Sequence, residues 1–250
     1  LSHKALIEKG RYAARLAENP GDIARAQALR ARVFRPGKGP TSDADAFDPI
    51  CRHVLIEDRD SGELVSCFRV LSLASGAEIG RSYSAQFYDL TGLLDYASPM
   101  AEIGRFCITP GVQDADILRL AWAAPAIVIE SSGARLLFGC TSFRGNDTTP
   151  YLDALALLRD RHLAPEGWRP GVKAPEVFDF ADNPIVDPDP THALRVMPPL
   201  LRTYLAMGGW VSSHAVIDRD LGTLHVFTGL DVGAVPEGRK KLLRSASQSS

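Results

Sequence analysis

Glu102 and Arg105 stand three residues apart in the run Ala101-Glu102-Ile103-Gly104-Arg105-Phe106-Cys107-Ile108, which is otherwise apolar and strand-like. Charge in such a run is costly unless it is paired, hydrogen-bonded or neutralised. Side chains alternate along an extended strand, so the two would face opposite sides unless a bulge near Gly104 re-aims one of them. Two chemistries fit: a structural ion pair, or a carboxylate kept as a working proton acceptor. His53 and Asp58 have the H-x4-D spacing with which a histidine can activate a hydroxyl. They sit at the two ends of one predicted strand, where an odd separation sends them to opposite faces, so that match is rejected. His162, His192, His214 and His225 show no metal-ligand spacing, and G-x-S-x-G, P-loop and dinucleotide-binding glycine patterns are all missing.

The elements around these residues are legible in outline. Asn19-Pro20-Gly21-Asp22 is turn chemistry, and Asp22 is placed to cap a helix carrying Ile23, Ala26, Leu29 and Val33. The segment from Pro36 to Pro49 is rich in breakers and carries Asp43, Asp45 and Asp48, so it reads as a long loop. Arg52 to Asp58 and Glu63 to Leu71 predict an antiparallel hairpin. Ser84 to Leu94 predicts a short helix, followed by the Glu102 strand and a long helix from Asp114 to Ser131 kinked at Pro125. Ala134 to Cys140 predicts a buried strand, Tyr151 to His162 a helix, and Glu176 to Phe180 a brief strand. Pro198-Pro199 opens a helix that closes at Gly208-Gly209, and Trp210 to Asp218 with Leu224 to Val232 form a last antiparallel pair. The order is mixed rather than alternating, which predicts an α+β fold with a layered sheet and helices on its faces.

The chain has 250 residues, 45% hydrophobic and 23% charged, with a net charge of -2, which describes an ordinary globular protein. The division expected is an N-terminal arm over 1–18, a single domain over 19–235 and a basic tail over 236–250. That charge balance argues against nucleic-acid binding. No secretion signal and no apolar run long enough for a membrane span is present, so a cytoplasmic location is expected. The cationic stretch Arg239-Lys240-Lys241-Leu242-Leu243-Arg244 is either a solvated face or a peripheral contact for anionic membrane. Cys51, Cys67, Cys107 and Cys140 are too widely spaced for a zinc site and read as free thiols, and no metal is expected.

Taken together, Arg30 with Val33-Phe34, the acidic loop ending Asp45-Ala46-Phe47-Asp48, Phe68-Arg69-Val70-Leu71 and Glu102-Ile103-Gly104-Arg105-Phe106 form an ordered series. The series resembles the acyl-homoserine-lactone synthases and, more closely, the ornithine lipid N-acyltransferases of the GNAT superfamily. The closer likeness continues through Phe87-Tyr88-Asp89-Leu90, Leu137-Phe138-Gly139-Cys140-Thr141-Ser142-Phe143, His162-Leu163-Ala164-Pro165, Pro198-Pro199-Leu200-Leu201 and Tyr204 to Val211, covering roughly residues 20 to 230.

The resemblance implies a GNAT-type fold, with a mostly antiparallel central sheet flanked by helices. It implies no permanently bound cofactor, an acyl-phosphopantetheine on acyl carrier protein as donor, and an amino acid α-amine, ornithine favoured, as acceptor. The product would be lyso-ornithine lipid; glutamine or another amino acid as acceptor, and a non-catalytic module that binds carrier or membrane, are the alternatives. It implies that Arg30, Asp45, Asp48, Arg69, Glu102 and Arg105 line or brace the site. On this reading Glu102 takes the proton of the α-ammonium. Arg105, Arg69 or Arg30 holds the acceptor's carboxylate, and Asp43, Asp45 or Asp48 its side-chain amine. A backbone N–H near Cys107 or Ile108 would face the oxyanion, and Tyr151 would protonate the departing thiolate. Leu118, Trp122, Leu136, Phe138 and Phe143 are expected to line the acyl slot, and Arg119 and Arg144 to meet the acidic carrier. One departure bears on the donor. Coenzyme A users bind pyrophosphate with a glycine-containing loop at a helix N-terminus, whereas here Pro110 to Asp116 ends in two aspartates that would repel it.

Overall fold

The computed structural model describes residues 4–37, 41–112, 114–183 and 187–235. In chain order these form β1 (Ala5–Lys9), β2 (Tyr12–Leu16), α1 (Pro20–Phe34), β3 (Arg52–Asp58), β4 (Leu64–Leu73), β5 (Tyr88–Asp89), β6 (Met100–Ile108), α2 (Ala115–Ser132) and β7 (Leu136–Arg144). Then come α3 (Leu152–Arg161), β8 (Gly171–Val172), β9 (Val177–Asp179), α4 (Pro190–Val196), α5 (Pro199–Ala206), β10 (Trp210–Val211), β11 (His214–Asp218) and β12 (Thr223–Asp231). The chain divides into two compact units where the sequence predicts one domain: residues 4–72 with 103–134, and residues 73–102 with 135–235.

In the first unit β1, β2, β3 and β4 follow one another as antiparallel neighbours, and the later part of β6 joins beside β4. The expected N-terminal arm is instead the β1–β2 hairpin, turning at Gly10, whose φ of 55° is the left-handed conformation that glycine adopts without a Cβ penalty. Helix α1 starts on Asn19, whose side chain accepts from the Asp22 N–H. Asp22 itself is spent on Arg15, both oxygens lying 2.7 Å from its guanidinium. Ala26 and Leu29 on α1 pack against Cys67 of β4 and Cys107 of β6. Helix α2 is capped at its start by Asp114 and closed by Gly133, and it lies against β1, β2 and β3.

In the second unit β12 is the spine. It pairs antiparallel with β7 over nine residues, with β11 on its other side, and β9 follows β11. Met100–Glu102 at the start of β6 pair with β7 in parallel. Cross-strand partners share a face, so Phe138, Cys140, Phe227 and His225 point one way while Phe143, Leu224 and Val226 point the other, into a core completed by Leu155, Leu158 and Leu201. The predicted helix from Ser84 to Leu94 is two short 3-10 turns around β5. The Tyr88 hydroxyl ties the segment to β12 by donating to the His225 carbonyl at 2.8 Å, and within the segment Asp89 accepts from the Thr91 N–H at 3.0 Å.

Candidate active site

Helix α1, the loop before β3 and strands β4 and β6 bring three arginines and three aspartates of the first unit into one buried network. Arg30 is 1% exposed. Its Nε donates to Asp43 at 3.0 Å, its Nη1 to Asp48 at 2.6 Å, and its Nη2 to the Asp43 carbonyl. Arg69 donates to Asp48 at 2.6 Å and to both oxygens of Asp45 at 2.5 and 2.8 Å. Arg105 reaches Asp43 at 3.0 Å and Asp45 at 3.1 Å. Burial alone would raise the Asp48 carboxyl, but the hydrogen bond and charge of Arg30, with Gln27 helping, hold it far below its ordinary range. Asp45 is lowered in the same way, burial being outweighed by Arg69 and then Arg105. His53 contacts the Asp48 carbonyl at 3.0 Å, and burial lowers its pKa.

The strand irregularity expected near Gly104 falls on Arg105, whose φ is 54°. A side-chain-bearing residue reaches that region at a cost, and here the two ion pairs to Asp43 and Asp45 hold it there.

Glu102 belongs to the second unit and is 5% exposed. Its carboxylate accepts from the Tyr83 N–H at 2.8 Å, the Ser84 N–H at 2.7 Å and the Ser84 hydroxyl at 2.6 Å. The carboxylate therefore anchors the 3-10 turn Ser84–Gln86 to β6. The Ser84 hydroxyl also lies 3.4 Å from the half-buried Cys140 thiol.

Residues 29–123 match the acetyltransferase (GNAT) domain family. An L-ornithine N(α)-acyltransferase of Rhodobacter capsulatus is 34% identical over 244 residues, covering 92% of this chain and 93% of that protein. The chain belongs to the L-ornithine N(α)-acyltransferase family. The Brucella abortus member is 30% identical over 242 residues, covering 89% of this chain and 85% of its own length. FeeM, an N-acyl amino acid synthase from uncultured soil microbes, superposes with a TM-score of 0.50 at 10% identity, over 90% of this chain and 94% of that one, and shares the fold. The protein is an acyltransferase of mixed α+β, GNAT-like architecture.

The geometry gives several of the expected site residues partners within the protein. Arg105, Arg69 or Arg30 was expected to hold the acceptor's carboxylate, and Asp43, Asp45 or Asp48 its side-chain amine; in the structure these groups pair with one another, each guanidinium placed against a fixed carboxylate. Asp45, with a side chain 21% exposed, is more open than Asp43 and Asp48. Tyr151 donates its hydroxyl to the Arg144 carbonyl at 2.8 Å and packs on Phe143 at 5.0 Å between ring centroids, so its proton already has an acceptor. Leu136 and Phe138 share a strand face, but Phe143 is on the opposite one and cannot line the same slot. Phe138 stacks on Phe227 at 5.6 Å. The side chains of Leu118 and Trp122 and the basic tail lie outside the described residues. Arg119 is exposed and paired with Asp116 at 2.6 Å, and Arg144 is exposed. No cluster of metal ligands and no helix long and apolar enough to cross a membrane occurs among the described residues. Ser84 and Cys140 were not expected at the site, and nothing in the sequence around Ser84 marks it.

Proposed function

We propose that this acyltransferase moves a 3-hydroxyacyl chain from the phosphopantetheine of acyl carrier protein to the α-amine of L-ornithine, giving lyso-ornithine lipid. The acceptor rests on one observation, the near full-length match to relatives that bear this activity in their names. The carrier as donor is supported by the start of α2. Asp114 already caps that helix, accepting the Asp116 N–H at 2.9 Å and the Tyr12 hydroxyl at 3.1 Å, so the N-terminus presents carboxylate where a pyrophosphate would need open donors.

In the reaction Glu102 takes a proton from the ornithine α-ammonium. The freed amine attacks the thioester carbon, the C–N bond forms and the C–S bond breaks. The nitrogen then gives up its second proton, which the departing thiolate takes, and the proton on Glu102 passes to solvent, so the products are the neutral amide, the carrier thiol and one proton, without a covalent enzyme intermediate. The arginine–aspartate network braces the strand that carries Arg105 and the loop at residues 43–48.

Purified protein given 3-hydroxyacyl carrier with ornithine and glutamine in one reaction tests this by mass spectrometry. N-acylornithine is the expected product, and predominant N-acylglutamine refutes the acceptor assignment. Glu102→Gln is expected to lower turnover per folded enzyme about 100-fold, the size of a general-base contribution. Its folded state should also lose about 1–3 kcal/mol, because an amide turns one N–H toward the donors that the carboxylate accepts. Wild-type turnover in that variant refutes Glu102 as base.

A further inference from the structure

The turn at Ser84 has more anchoring than its backbone needs. The N–H groups of Tyr83 and Ser84 already tie it to the Glu102 carboxylate, at 2.8 and 2.7 Å. The Ser84 hydroxyl adds a third bond at 2.6 Å, to the same Oε1 that takes the Ser84 N–H. That distance is typical of a charge-assisted O–H···O⁻ bond. A serine hydroxyl has a single hydrogen, so donation to Glu102 leaves Oγ as the acceptor for the Cys140 thiol at 3.4 Å. Donors therefore run in one direction, from a half-buried thiol through a fully buried hydroxyl to the carboxylate. All of these residues lie in one unit.

The terminal torsion of a glutamate is broad, so backbone attachment alone leaves the plane of the carboxylate loosely set. Two donors from one residue converging on Oε1, with a third on Oε2, define that plane. A proton acceptor in acyl transfer needs this definition, since small misplacements of a reacting group are costly.

We propose that Ser84 is the positioning residue of the acyl transfer, its hydroxyl fixing the orientation of Glu102 for proton abstraction. The inference rests on Glu102 being the base, and the experiment separates the two ideas. Four proteins are compared at saturating acyl carrier and varied ornithine: wild type, Ser84→Ala, Glu102→Gln and the double variant, with rates per folded enzyme read from tryptophan fluorescence. Ser84→Ala keeps both backbone anchors of the turn. It should lower kcat about 10-fold, a part of the roughly 100- to 10,000-fold that a positioned base supplies, with KM for ornithine within about twofold. In the Glu102→Gln background the same change should have no further effect, because there is no base left to orient. A purely structural Ser84 would slow both backgrounds alike. Wild-type kcat in Ser84→Ala, or an equal loss in both backgrounds, overturns the inference while leaving Glu102 intact. Wild-type turnover in Glu102→Gln overturns the base assignment and the positioning role with it.

Discussion

His225 should make the second unit lose stability on mild acidification, starting above the range in which carboxylates protonate. The imidazole is 2% exposed, its Nδ1 lies 3.0 Å from the Tyr88 hydroxyl, and its Nε2 is buried without a hydrogen-bond partner. Burial, with the neighbouring His214 adding to it, pushes the His225 pKa from 6.5 down to about 3. A proton binds the unfolded chain near pH 6.5 but not the folded one, so stability is complete above that pH and falls as pH drops toward 3. Near pH 4.5 the loss is two pH units at about 1.4 kcal/mol each, or about 3 kcal/mol. Asp45, Asp48 and Glu57 do not confuse this window. Their lowered values mean that their contribution is complete above the ordinary carboxylate range and falls as pH drops through it, by the same amount in wild type and variant, so it cancels in the comparison. The assay is urea unfolding followed by tryptophan fluorescence, at about pH 8 and about pH 4.5, for wild type and His225→Leu. The variant's own packing defect is common to both pH values and cancels in the difference. The pH-dependent loss should be about 3 kcal/mol smaller in the variant; equal losses in the two proteins would refute the reasoning.

Arg30→Met should cost about 3–5 kcal/mol in urea unfolding, since it takes the most deeply buried cation from Asp43 and Asp48; a loss below about 1 kcal/mol would show that Arg105 and Arg69 suffice. Gly76→Ala places a Cβ 1.8 Å from the Leu93 carbonyl oxygen, so the 3-10 segments must separate and the melting temperature should fall by several degrees; an unchanged midpoint counts against the packing described. Asp45→Asn should weaken ornithine use more than use of any neutral amino acid accepted, because a charge-assisted bond to the side-chain ammonium is stronger than a neutral one. Equal loss for both acceptors would make Asp45 structural alone. Arg144→Glu should raise the apparent KM for an acidic carrier, and added salt should do the same for wild type; a coenzyme A thioester working equally well without salt dependence contradicts the carrier assignment.

The parts of the fold that were legible are those where local pattern and tertiary need agree. The β3–β4 and β11–β12 hairpins show mostly apolar runs on either side of a polar, glycine-containing turn, and α2 shows its Asp114 cap and Gly133 stop in the sequence itself. The β1–β2 hairpin is less legible because each strand has only five residues and β1 buries a single position fully. The segment at residues 84–94 misled because its apolar residues serve contacts with β12 rather than a helix face. For the site, residue types were legible and partners were not. Arg30, Asp43 and Arg105 are 13 and 62 residues apart in sequence, and only the folded first unit puts both guanidiniums on one carboxylate. The same holds for Ser84 and Glu102, 18 residues apart with no periodic signal between them.

The arginine–aspartate network invites a reading as a source of stability, but its energetics point elsewhere. Ion pairs this deeply buried recover little more than their desolvation costs, so apolar residues of equal volume would serve stability as well. What apolar residues would not do is fix directions. Among the described residues between α1 and β3, regular structure is confined to the 3-10 turn Asp48–Ile50, with Asp43 N–H to Gln27 carbonyl and Asp48 N–H to Asp45 carbonyl among the backbone bonds there. The loop is set mainly by its carboxylates gripping guanidiniums from three different elements. Arg105 is held from the same side, in a backbone conformation it would otherwise leave, and its φ of 54° lies within the strand that also carries Glu102. Lysine would not substitute at these positions, because a single ammonium cannot present the planar fork that lets Arg69 take both oxygens of Asp45 while holding Asp48. The charges therefore act as a jig for the backbone at Arg105, three residues beyond the carboxylate to which the proton transfer is assigned.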